Sequence, residues 1–172
     1  MVLVTWREDY RVGVSTIDSE HRYLIGLINE FYDAHASGRT AKQILGVLTR
    51  LVAYAEEHFQ HEEALMKQTD YPRLAHQQKE HEILYSSIYA LNEKLARNGV
   101  QVDIETLRFL KRWLIDHILK DDLDIGDFLR RKAVQAEKAA RQESAGGRPP
   151  TDAAGDGAPT PAETPGRAAA NG

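Results

Sequence analysis

Four stretches of this chain repeat apolar residues in steps of three and four, and polar side chains break each of those seams near one end. The first reads Ile17, His21, Leu24, Ile28, Phe31 and His35, and the second reads Ile44, Leu48, Leu51, Ala55, His58 and Glu62. The third is Leu74, Gln77, His81, Leu84, Ile88, Leu91 and Leu95. The fourth carries two adjacent stripes: Leu107, Leu110, Leu114, His117 and Asp121 beside Ile115, Ile118, Asp122, Ile125 and Leu129. Such spacing is the period of a helix that buries one face, and no alternating pattern lasts long enough to compete as a strand. Long helices joined by short connections run antiparallel to their neighbours. The seams therefore predict an all-α fold, an antiparallel up-down-up-down four-helix bundle.

Punctuation residues set the expected boundaries. The first helix is expected over residues 19–35, after Asp18 as N-cap, and stops where Gly38 can take the left-handed conformation. The "TAKQ" stretch, Thr40 to Gln43, has capping-box spacing and opens a second helix that ends near Gln68. Tyr71 and Pro72 start the third, which closes at "RNG", and the fourth follows Asp103. An N-terminal arm, residues 1–17, is expected to lie outside the bundle, pinned by Trp6 and Tyr10. The bundle domain is expected over 1–132 and a charged, Ala-rich helical extension over 133–143. From Ser144 the composition turns to Ala, Gly, Pro and Thr, with no large apolar residue to offset the entropy of ordering. A disordered tail is expected over 144–172.

In an antiparallel bundle the starts of helices one and three share an end with the finishes of helices two and four. His21, His58, Glu62, Gln77, His81, His117 and an aspartate at 121 or 122 all fall at that end. His35 is expected near the opposite rim. A single histidine on an apolar face is ordinarily a hydrogen-bonded core residue. Burying half a dozen such groups unpaired, at on the order of 1–3 kcal/mol each, would consume the ~5–15 kcal/mol stability of a domain. Metal ions held by imidazoles and carboxylates from several helices are one way to offset that cost. The chain of 172 residues has no cysteine, so thiolate ligands, thiolate catalysis and disulfides are excluded. Oxygen and nitrogen donors favour iron or manganese, with zinc as a further choice, and two carboxylates among several histidines suggest two bridged ions.

The formal net charge of −4 and the lack of a strongly basic face argue against nucleic acid as a partner. No apolar run approaches bilayer length, and "MVLVTWREDY" lacks the basic end and long apolar region of a secretion signal, so a cytoplasmic protein with no membrane partner is expected. No Gly-rich phosphate loop or serine nucleophile motif is present. Nothing in the sequence names a protein partner.

Four segments, "WREDYRVGVSTIDSEHRYL" (residues 6–24), "HFQHEEALM" (58–66), "YPRLAHQQKEH" (71–81) and "WLIDHILKDD" (113–122), resemble the successive signatures of the hemerythrins, specifically single-domain bacteriohemerythrins. The resemblance covers about residues 4–129. It implies a cofactor of two iron ions, non-heme, bridged by an oxo or hydroxo group and two carboxylates, with dioxygen as the reversibly bound partner. On the matching positions, His21 and His58 would hold the iron that meets oxygen, Glu62 and Asp122 would bridge, and His81 and His117 would hold the second iron. The family also places a histidine four residues before His81, where this chain has Gln77.

That departure would reduce the second iron to two histidines and give it an open or water-filled position. Gln77 faces the seam, either as a weak ligand through its amide oxygen or as a partner for a metal-bound water. His76 lies about 100° round the helix and is expected at the surface or between helices, since only a local π-bulge would swing it inward. Counting in fours from His117 selects Asp121, whereas the resemblance selects Asp122, reachable if the helix widens locally. Asp121 is then a solvated acid or an outer partner, His61 and Glu63 belong to a charged outer face, and Leu114 is expected as an ordinary packing residue, with lining of the oxygen pocket as its alternative role. The leading function is a non-heme di-iron oxygen-binding protein for storage, delivery or sensing. The runner-up is a di-iron peroxidase or oxidase, favoured by the missing histidine, and a third class is a metal-free scaffold acting through its tail.

Overall fold

In the computed structural model, which describes residues 2–146, five helices make four antiparallel rods. Helix α1 spans Ser15–Ala36, α2 spans Ala41–Gln68 and α3 spans Leu74–Asn98. The fourth rod is α4, Ile104–His117, continued through a π-helical turn, Ile118–Asp122, into α5, Leu123–Gly146. No strand occurs among the described residues, and none of their helices is long and apolar enough to cross a membrane. The up-down-up-down bundle read from the seams is the observed architecture.

Local chemistry explains the boundaries, including two that differ from expectation. Thr40 Oγ1 accepts the Gln43 amide hydrogen at 3.3 Å while Gln43 Oε1 accepts that of Thr40 at 3.1 Å, so the capping box opens α2 as read. Asp103 accepts from the Thr106 amide at 2.7 Å and starts α4. Gly38, with φ of +65°, ends α1. Helix α1, however, begins at Ser15 rather than after Asp18. The Asp18 carboxylate is already engaged, accepting the amide hydrogens of Val12 at 2.8 Å and Gly13 at 3.1 Å, so it ties down the arm instead of capping the helix. Helix α3 begins at Leu74 rather than at Tyr71. Asp70 adopts φ of 54°, and the Tyr71 amide reaches back to the Met66 carbonyl at 2.9 Å, closing α2 in a left-handed cap that uses up Tyr71 before α3 can start.

The arm is fastened more by backbone than by its aromatic rings. Asn29 accepts from the amides of Leu3 and Val4, both at 2.9 Å, and donates to the Val4 carbonyl at 2.8 Å. Val12 then crosses α5 at Gly126, where a Cβ would meet the Val12 carbonyl oxygen at 2.0 Å, so only glycine admits the crossing. Arg130 donates to that same oxygen at 3.0 Å. Tyr10 is buried as expected; Trp6 is only partly covered, with the Arg22 guanidinium 4.1 Å from its ring centroid.

Two apolar clusters flank the polar end of the seams. The larger includes Leu24, Ile28, Phe31, Leu48, Leu51, Ile88, Leu110 and Leu114, and the smaller is Met66, Tyr71 and Ile125. The polar residues of α2, α3 and the fourth rod fall between these clusters, and His21 of α1 lies one turn before Leu24 of the larger one. Helix α5 runs unbroken through the expected extension to Gly146, past the expected tail start at Ser144. The rest of the expected tail, 147–172, lies outside the described residues.

Candidate metal centre

Each rod delivers its polar residues by ordinary helical spacing except one. His58 and Glu62 lie four apart on α2, Gln77 and His81 four apart on α3, and His21 comes from the second turn of α1. His117 ends α4, and five residues later Asp122 ends the π-helical turn. There the Leu123 amide donates to the Ile118 carbonyl, five residues back, which widens the helix and turns Asp122 inward. Asp122 is fully buried, whereas Asp121 stays at the edge. Counting in fours thus selects the acid that stays at the edge, and the local widening is the reason.

The six expected ligands converge in two overlapping groups. His21, His58, Glu62 and Asp122 form one, and Glu62, His81, His117 and Asp122 form the other, with the candidate donor atoms of each group all within 4.8 Å of one another. The two carboxylates belong to both groups. Glu62 Oε1 lies 3.6 Å from Nε2 of both His21 and His58, while its Oε2 lies 3.3 Å from His81 Nε2. Asp122 Oδ2 lies 3.3 Å from His21 Nε2, and its Oδ1 lies 3.1 Å from His117 Nε2. Each acid therefore offers one oxygen to each pair of imidazoles.

Outside this cluster the imidazoles are held by acids that seam counting does not find. Glu20 Oε2 sits 2.9 Å from His58 Nδ1 and its Oε1 sits 2.7 Å from His61 Nδ1. Glu63 Oε1 sits 2.9 Å from His81 Nδ1, and its other oxygen accepts from Gln78 at 3.1 Å. An ionised carboxylate only accepts, so these contacts put the hydrogen on Nδ1 and leave Nε2 of His58 and His81 as lone-pair donors toward the cluster. The outer-face reading of Glu63 is thereby corrected, while His61 is indeed exposed. Glu20 flanks the α1 seam and reaches across to another helix, so a count along the seam passes over it. The signal that would have found it is the need of a metal-binding imidazole for a partner on its second nitrogen. Asp121 Oδ2 lies 3.4 Å from His117 Nδ1, and its Oδ1 lies 3.4 Å from Nε2 of the exposed His76. His76 is turned away from the cluster, as its register predicts. Phe59 stacks on His81 with ring centroids 4.3 Å apart.

The family model described as "Hemerythrin HHE cation binding domain" matches residues 12–129. The chain belongs to the hemerythrin family. It is 29% identical over 147 residues to a bacteriohemerythrin of Stenotrophomonas maltophilia, covering 86% of this chain and 93% of that one. It is 30% identical over 138 residues to a bacteriohemerythrin of Pseudomonas aeruginosa, covering 80% and 89%. A wild-type hemerythrin crystal structure superposes with a TM-score of 0.68 at 29% identity, covering 73% of this chain and 97% of that one. This hemerythrin is a non-heme di-iron oxygen-binding protein.

The residues of this hemerythrin fit a pair of cations on the evidence of their own unmet bonding. Among the described residues, every buried side-chain nitrogen or oxygen without a hydrogen-bond partner belongs to His21, His58, Glu62, Gln77, His81, His117 or Asp122. The imidazole and carboxylate atoms are close enough to feel one another's charge, but their geometry is not that of hydrogen bonds. Burial alone would lower the pKa of His21, but Asp122 and Glu62 outweigh it and raise it to about 9. Burial is likewise overcome at His117, which Asp122 and Asp121 raise to about 10. Burial and the Asp122 charge oppose ionisation of Glu62, yet the surrounding histidines lower it to about 2; Asp122 is held well below the carboxylate range against its burial, chiefly by His117 and His21. Such a cavity favours positive charge between two ionised acids. Gln77 is fully buried, faces the cluster's end of the seam as expected, and approaches the Tyr71 phenol without reaching hydrogen-bond geometry.

Proposed function

We propose that His21 and His58 hold the iron that receives dioxygen, that His81 and His117 hold the second iron, and that Glu62 and Asp122 bridge the two. The protein then stores, delivers or senses dioxygen, and a cytoplasmic location belongs to the same proposal. The observation that carries the assignment is the division of each carboxylate, one oxygen toward each imidazole pair.

When bound, the iron pair supplies the electrons through which dioxygen is taken up reversibly. The chain's own part is to orient and to exclude water. Glu20 and Glu63 fix the rings of His58 and His81 with Nε2 inward. Leu24 and Leu114 lie within one turn of His21 and His117 on the same seams, and both are buried, so apolar surface borders the centre. Dry surroundings keep bulk water and its protons away from the centre.

The test is an iron-to-protein ratio combined with optical spectra taken before oxygen is admitted, after it, and after it is removed. The expected result is two irons per chain and a spectrum that returns to its starting form. Absence of stoichiometric iron would remove the ligand assignment. Steady consumption of peroxide with a reducing co-substrate, without a reversible spectrum, would replace carriage by the peroxidase or oxidase reading, which the missing histidine at Gln77 favours.

A further inference from the structure

The two halves of the cluster offer equal numbers of protein donors: His21 with His58 on one side, His81 with His117 on the other, and both acids shared. Gln77 occupies the α3 seam one turn before His81, where a third imidazole would have made the halves unequal. It is 0% exposed, and neither its Oε1 nor its Nε2 has a hydrogen-bond partner. The nearby Tyr71 hydroxyl gives its hydrogen to Asp124 at 2.8 Å and so has none to offer the Gln77 amide oxygen. A buried amide with both atoms unmet calls for a partner of its own.

We infer that Gln77 forms a second position for a small exogenous ligand, beside His81 and His117, in addition to the one that receives dioxygen. The ligand class is a small donor that coordinates a metal and pairs with an amide: water or hydroxide at rest, displaced by a small anion such as azide. Direct ligation through Oε1 would engage one amide atom, and a metal-bound water or hydroxide would likewise engage one, so the two arrangements are told apart by whether the position accepts an exchangeable ligand. A water or hydroxide can meet the amide from either side, since it both donates and accepts. The inference rests on the ligand assignment proposed above.

The experiment titrates azide into oxidised, iron-loaded full-length protein and counts equivalents bound at saturation, for the wild type, Gln77→His and Gln77→Leu. Iron content is measured first on each sample, so a wild type without two irons defeats the ligand assignment rather than the inference. With two irons present, the expected counts are two azides for the wild type, one for Gln77→His and two for Gln77→Leu. In Gln77→Leu the weaker azide should bind about tenfold less tightly for want of one hydrogen bond. One azide in the wild type but two in Gln77→Leu would make Gln77 itself the ligand and overturn the inference. One azide in the wild type and in Gln77→Leu, or two in both the wild type and Gln77→His, would overturn it as well. If Gln77→His does not fold, the wild-type and Gln77→Leu counts decide.

Discussion

Toward the loops joining α1 to α2 and α3 to α4, the four rods meet through Phe31, Leu48, Ile88 and Leu110, all buried and all apolar. Toward the other end the same rods meet through His21, His58, Glu62, Gln77, His81, His117 and Asp122, equally buried and polar throughout. The first end is stabilised by removing carbon from water, whatever else is bound. The second gathers groups whose burial is costly until a cation satisfies them. One fold thus contains an unconditional half and a conditional half, and they should respond differently to the same perturbation.

Withdrawing the metal should produce the largest difference. A ligand present at a thousandfold above its dissociation constant adds about 4 kcal/mol, or roughly 10 °C in a chain of this size. Chelation should lower the melting midpoint by at least that much, and amide exchange should accelerate around His58 and His117 before it does around Leu48. Equal acceleration at both ends would break the comparison. Leu48→Ala comes next, costing about 3 kcal/mol through the cavity it leaves, and by the same amount in iron-loaded and metal-free protein.

Smaller is the effect of the acids behind the imidazoles. Glu63→Ala and Glu20→Ala should each weaken metal affinity by about tenfold to a hundredfold, read by competition with a chelator, while helical circular dichroism is unchanged. The smallest expected effect is on pH dependence. His21 and His117, raised from 6.5 to about 9 and about 10, stabilise the metal-free fold fully below 6.5, and that contribution is lost as pH rises through those values. Glu62, lowered from 4.5 to about 2, contributes fully above 4.5 and loses its contribution as pH falls toward 2. Thermal melts of metal-free protein should therefore peak between those limits and decline on both sides, including between pH 6.5 and 8. Iron-loaded protein should show no such decline over that interval.

The unconditional half was the more legible one in the sequence. Ile28, Phe31, Leu48, Leu51, Ile88 and Leu110 all follow from helical period alone, and all are buried. The polar residues at the other end could be grouped by the same count and by antiparallel topology, but their outer partners could not. Glu20 reaches His58 across 38 positions, and Glu63 looks like any acid beside a buried one. Helical period offers both Asp121 and Asp122, on adjacent stripes, and only motif spacing prefers Asp122, because a period of 100° per residue assumes the regular helix that the chain abandons there. The start of α1 is not legible at Asp18 because a capping residue and a residue that anchors an arm have the same chemistry; Asp18 accepts two amide hydrogens, but not those of its own helix.

The π-helical turn has an effect that extends past Asp122. An additional residue rotates all that follows it by about 100°, so α4 and α5 show their neighbours different stripes although they form one continuous rod. The widened turn also lets two consecutive acids address opposite nitrogens of one ring, Asp121 at His117 Nδ1 and Asp122 at Nε2. The tilt of that imidazole is therefore governed by winding, with a spare residue serving as angular phase.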